Sequence, residues 1–162
     1  MNLGHVHSFR AAVLSALGLV FIALIGAIVH QPLLFPSLGP TIFVITLAPN
    51  EPISRFRNII IGHGIGIISA LMTTPVVGLV QQQFPYSEMI AQLAYGLAAA
   101  LAVSLTILLQ VTIHSLHPPA AATTMLLVLG GVRSEWSAIA FVMGSIILVA
   151  VYGELLRFLR KF

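Results

Sequence analysis

Two histidines stand where histidine is scarce. His63 lies within Gly62-His63-Gly64-Ile65-Gly66, inside an apolar run, and His117 heads His117-Pro118-Pro119-Ala120 before another such run. Ionisable side chains inside a membrane segment are costly and by default functional. An imidazole, with an ordinary pKa near neutral, can donate to an anion or take up a proton that accompanies it. Proton-coupled anion uptake is the chemistry these positions suggest; a neutral ring bonded to a nearby carbonyl is the plain alternative.

The chain also carries two breaks, one of them at His117. One reads Ser37-Leu38-Gly39-Pro40-Thr41, and the other runs from Ser115 through Pro118, Pro119 and Ala120 to Ala121. A helix start presents unpaired N–H groups and a partial positive charge, which favour an anion. Two starts facing each other, at Gly39-Pro40-Thr41 and at Pro118-Pro119, would make a compact site for a small anion. Proline brings no N–H, so the second start offers amides only from Ala120 and Ala121 onward. Hydroxyls of Ser37, Ser115, Thr123 and Thr124 supplement them. Arg55 and Arg57, followed by Asn58, precede the run that holds His63. They read either as interfacial charges that fix topology or as an electropositive vestibule that concentrates anions.

Other chemistries find less support. His114 and His117, like His5 and His7, have metal-binding spacing, but the charge-free runs contain no carboxylate to complete a hydrolytic centre. Three imidazoles from His63, His114 and His117 are the remaining route to an intramembrane metalloenzyme, the least favoured reading. The chain has no cysteine, which removes disulfides, thiolate sites and thiol redox chemistry. Neither enzyme activity, nor a bound metal, nor a cofactor is expected. The net charge of +3 comes from scattered bases, not from the basic face that nucleic acid requires.

The elements that must position these residues follow from composition. Of 162 residues, 59% are apolar and 7% charged, against roughly a quarter charged in soluble domains. So few charges cannot clothe a water-facing globule, and the chain reads as an integral membrane protein in contact with lipid. Four runs, 11–29, 58–80, 90–111 and 136–156, are long enough to span about 30 Å of hydrocarbon. The first reads as a retained helix, too long for a signal-peptide core. Pro75 predicts a kink in the second. Residues 32–49 and 115–132 read instead as an irregular entry followed by a short helix. The expected fold is therefore an all-α polytopic bundle of six embedded segments, four long and two short, in a single domain.

Sliding the chain by 78 positions pairs Gly18 with Gly96, Ser37-Leu38 with Ser115-Leu116, Pro40 with Pro118, Thr46 with Thr124, Arg55 with Arg133 and Gly66 with Gly144. This suggests two quasi-repeats, residues 11–80 and 89–158, each made of helix, broken short helix and helix. Paired broken segments point to a substrate site in many transporters. If the short segments cross the bilayer, all bases except Arg133 share one side, the arrangement that positive-inside bias favours.

Ser37-Leu38-Gly39-Pro40-Thr41, Arg57-Asn58 with Gly62-His63, and Ser115-Leu116-His117-Pro118-Pro119-Ala120 occur in this order. Over residues 30–155 the chain thereby resembles the HPP family of integral membrane proteins. The resemblance implies a small transporter-like protein, usually described with four spans, and some photosynthetic members are linked to nitrite transport. The expected function is a channel or carrier for a small inorganic anion, nitrite first, in a bacterial inner membrane, as a monomer or a homo-oligomer. A membrane assembly or interaction subunit that transports nothing is the competing class.

Overall fold

The computed structural model describes residues 5–31, 33–130 and 136–159, without the side chains of 5–7 and 136. Arg133, Pro32 and the side chains of His5, His7 and Trp136 thus lie outside the described residues. The elements are α1 (His5–Ile28), α2 (Leu38–Leu47), a 3₁₀ turn (Pro52–Ser54), α3 (Phe56–Gln83), α4 (Glu88–Thr112), α5 (Ala120–Val128) and α6 (Trp136–Leu159). No strand occurs among the described residues, so the all-α expectation holds. Four helices contain windows long and apolar enough to cross a membrane: Ser8–Ile28, Phe56–Gln83, Glu88–Thr112 and Ser137–Leu159. α2 and α5, with 10 and 9 residues, reach about 15 Å and about 14 Å at 1.5 Å per residue. Each covers about half of the hydrocarbon.

Local chemistry explains the ends. α1 and α4 close with the same corner: His30 and His114 both take φ 53°. The amides of Gln31 and Ser115 reach back to the carbonyls of Gly26 and Gln110, each at 2.9 Å. This is the helix-ending turn that usually recruits glycine. At the other end of α4, Ser87 caps the helix by accepting from the Ile90 amide at 3.4 Å, and Glu88 sits in the first turn, where the helix dipole favours an acid. Pro75 sits inside α3 without ending it. Its neighbours Thr73 and Thr74 both donate to the carbonyl of Ala70.

Contacts give the direction of every segment. Tyr152 Oη donates to the Leu14 carbonyl at 2.6 Å, Arg157 donates to the Ser54 carbonyl, and Glu154 accepts from the Phe56 amide at 3.2 Å. The start of α1, the turn before α3 and the end of α6 therefore share one end of the bundle. Arg10, Arg55 and Arg57 are exposed there with Arg157 beside them, so it is called the arginine end. Along α3, Asn58 meets Ser115, Gly62 meets His117, and Gly66 meets Ala120 and Thr124. The chain from 115 to 128 thus runs inward from the arginine end, parallel to α3. α2 runs the opposite way: Ser37 meets Thr123 in the interior, while Thr46 meets Ser15 of α1 at 2.9 Å. Among the described residues, each short helix with its entry thus runs along the bundle beside the four long helices.

The principal packed pairs are α1–α2, α1–α6, α2–α6, α3–α6, α3–α4, α3–α5 and α4–α5. Exchanging the first three helices for the last three maps this set onto itself. Small residues set the close approaches, since apolar burial drives little association within lipid. A methyl group on Gly62 would lie 2.7 Å from His117 Cβ, and one on Gly66 would lie 2.9 Å from the Ala120 carbonyl oxygen. Ala94, Ala98 and Ala102 of α4 are buried. Leu17, Phe21 and Leu24 of α1, and Leu93, Leu97 and Leu101 of α4, point outward, as a lipid-facing surface requires.

Candidate functional site

The two short helices begin beside each other. Thr123 Oγ1 of α5 donates to Ser37 Oγ, immediately before α2, at 2.7 Å. Between them stands the His63 ring, carried by α3, with Nε2 3.0 Å from Thr41 Oγ1 and Nδ1 2.7 Å from Thr123 Oγ1. His117 completes the group: its Nε2 lies 3.4 Å from the same Thr41 oxygen, and its Nδ1 lies 2.7 Å from the Ile53 carbonyl oxygen. The two imidazole centroids are 5.0 Å apart. Ser37, Thr41, His63, His117 and Thr123 all have 0% of their surface exposed, so the cluster is sealed from both ends.

Sequence folds this region for local reasons. Gly62, without a side chain, lets the His117 backbone lie against α3. Gln110, near the end of α4, locks it there: Oε1 accepts from the His117 amide at 2.8 Å and Nε2 donates to the Gly62 carbonyl at 3.3 Å. Asn58 plays a similar part, accepting from Ser115 Oγ at 3.2 Å while its Nδ2 donates to the Pro52 carbonyl at 2.9 Å. Thr106 and Thr124 join α4 to α5 at 3.0 Å. A buried polar network of this kind is stable only when its members find partners.

Three successive carbonyls of the 3₁₀ turn are each held by a side chain from a different segment. Pro52 is held by Asn58 of α3, Ile53 by His117 ahead of α5, and Ser54 by Arg157 of α6. Arg157 also pairs with Glu154 at 3.0 Å. The turn therefore closes the arginine end directly over the histidines.

The expected residues divide into three groups. Ser37, Thr41, Asn58, His63, Ser115, His117, Thr123 and Thr124 are buried in one connected region. Gly39 and Ala121 are half-buried, Pro40 and Pro118 exposed, and Pro119 and Ala120 buried. The backbone amides of Ala120 and Ala121 bond to the carbonyls of His117 and Pro118 at 3.0 and 3.1 Å, and the Leu38 amide bonds to Phe35. The groups that converge are thus side chains rather than helix-start amides. Arg55 and Arg57 are exposed at the arginine end, and neither approaches the rings. His114 sits on its exposed corner, apart from buried His117. Among the described residues no group of three or more His, Cys, Asp or Glu is placed to hold a metal ion.

Gln110, Thr106, the turn carbonyls and the Glu154–Arg157 pair were not singled out by the motifs. Gln110 had a usable signal, as a lone amide in the apolar run Ile107-Leu108-Leu109-Gln110-Val111. Carbonyls carry no such mark, because every residue has one.

Four helices long and apolar enough to span a bilayer, packed with two short ones around a buried polar centre, define a polytopic helical membrane protein. Residues 2–159 match the model of the HPP transmembrane region, and the chain belongs to that family. It is 29% identical over 137 residues, 82% of its length, to a transmembrane protein of Dictyostelium discoideum, and the match covers 44% of that relative. The chain thus spans less than half of the curated relative it matches. No solved structure matches it.

Proposed function

We propose that the chain is a transport protein for a small inorganic anion, with nitrite the first candidate by family resemblance. One observation carries the reading: the starts of two half-length helices meet around two imidazoles, sealed inside an otherwise apolar bundle. Discontinuous helices abutting near mid-membrane are where transporters bind their cargo. Such expensive polar burial is kept where solutes pass. The donors are imidazoles and hydroxyls, and among the described residues no carboxylate bonds to either ring, which suits an anion better than a cation. Because the cluster is enclosed, the reading is of a carrier or gated pore whose two ends open in turn. Its place is a bacterial inner membrane, as monomer or homo-oligomer, and it needs neither cofactor nor catalysis.

The test is flux. Purified protein in lipid vesicles should accumulate nitrite faster than protein-free vesicles. His63→Ala should lower the initial rate at least about tenfold, the scale of losing one charge-assisted hydrogen bond. Failure of nitrite, nitrate, chloride and formate alike to move above the protein-free rate would remove transport and leave the assembly-subunit reading.

A further inference from the structure

We infer that the His63 and His117 Nε2 atoms, bridged by the Thr41 hydroxyl, together hold one proton that travels with the anion; this rests on the transport reading and deepens it. The inference follows from counting donors. The Ile53 carbonyl can only accept, so His117 Nδ1 carries a hydrogen. Thr123 spends its single hydroxyl hydrogen on Ser37 Oγ, so it accepts from His63 Nδ1, which carries a hydrogen too. In the neutral rings both Nε2 atoms are therefore bare lone pairs.

Both lone pairs point at the same oxygen, 3.0 and 3.4 Å away. Thr41 owns one hydrogen, and the carbonyl of Ser37 competes for it at 3.0 Å. Three acceptors share one donor, so the neutral cluster is short of a hydrogen. One added proton corrects the count. Placed on either Nε2, it donates to Thr41 Oγ1, whose own hydrogen then turns to the opposite Nε2. The charge moves between rings when one Nε2–H gives its proton to Thr41 Oγ1 as Thr41 passes its own hydrogen to the opposite Nε2, so one N–H and one O–H bond break and one of each forms.

Among the described residues, no competing charge is bonded to the rings. Ser37 and Thr41 approach from the α2 side, Asn58 from α3, Gln110 from α4 and Thr123 from α5, all uncharged. Glu154 and Arg157 of α6 reach Phe56 and Ser54 instead, and Glu51, Arg55 and Arg57 are exposed. A lone positive charge in this apolar interior is costly, and a monovalent anion beside it removes the cost. Proton and anion thus load together as a neutral pair, and uptake follows the pH gradient rather than the membrane voltage.

Two measurements decide this. In the full chain, ¹⁵N-histidine labelled and reconstituted in lipid, the buried rings in alkaline buffer should both be protonated at Nδ1. Nε2–H on either neutral ring overturns the inference. In vesicles carrying a lumenal pH dye, an inward acid gradient should drive nitrite uptake that acidifies the lumen in proportion, above protein-free vesicles, with no response to a potassium diffusion potential. Thr41→Ser should retain this drive by the pH gradient and Thr41→Val should lose it. Nitrite uptake by the unmodified chain that follows voltage without lumenal acidification overturns the proton site and leaves the transport reading standing. Absence of any anion flux overturns the transport reading, and the ring protonation pattern then decides the proton site separately.

Discussion

Gly66 shows how little room the centre allows. A methyl there meets the Ala120 backbone carbonyl at 2.9 Å and Thr124 Oγ1 at 2.7 Å, whereas one on Gly64 meets nothing within 4 Å. Gly66→Ala should destabilise the protein by about 1–3 kcal/mol, the usual cost of overpacking, read as a lowered melting temperature in detergent; Gly64→Ala serves as the control that should not move it. His30 and His114 pose the opposite case, exposed residues held at φ 53°. A left-handed conformation costs a non-glycine residue roughly 1–2 kcal/mol, partly offset by glycine's looser unfolded chain. His114→Gly should therefore stabilise by about 1 kcal/mol in the same assay. At this scale the sequence is a fair guide to polar residues and a poor one to their partners. His63, His117, Thr41 and Thr123 stand out because apolar runs make them conspicuous, but nothing in their spacing shows that one hydroxyl lies between two rings 22 and 76 positions away.

Among the elements, the 3₁₀ turn has the clearest mechanical role. Its carbonyls bind Asn58, His117 and Arg157, so moving it breaks contacts to three segments at once and uncovers His117. Loosening the Arg157 contact should free it first. Ile53→Cys, the sole cysteine in an otherwise cysteine-free chain, should react faster with a water-soluble maleimide when Arg157→Gln is added; equal rates would show that the turn opens independently of α6. The long helices are legible from hydropathy alone, within a few residues at each end. The short ones are legible as breaks because proline and glycine punctuate them. Their course through the bilayer is not, since it depends on tertiary contacts such as Ser115 with Asn58. The spacing between halves is also set by tertiary structure. A shift of 78 aligns Ser37 with Ser115, yet Ser37 directly precedes α2 while Ser115 stands several residues ahead of α5, and the matching corners are His30 and His114.

For the molecule as a whole, the packing places Asn50 and Leu159 at the arginine end and Tyr86 at the other. All three are exposed. Positive-inside bias assigns the arginine end to the cytoplasm. In intact cells Tyr86→Cys should react with an impermeant thiol reagent, while Asn50→Cys and Leu159→Cys should react only after lysis. A four-pass arrangement with re-entrant short helices would instead split Asn50 from Leu159. The reversal of chain direction between residues 5–83 and 88–159, with packed pairs that interchange, has a mechanical consequence. If each half adopted the posture now held by its counterpart, the bundle would make the same kinds of contact but close at the far face instead of the near one. Two shapes of nearly equal energy would then be written into one fold, and on the transport reading ordinary thermal rocking, biased by the solutes' own gradients, would suffice to exchange them without nucleotide fuel.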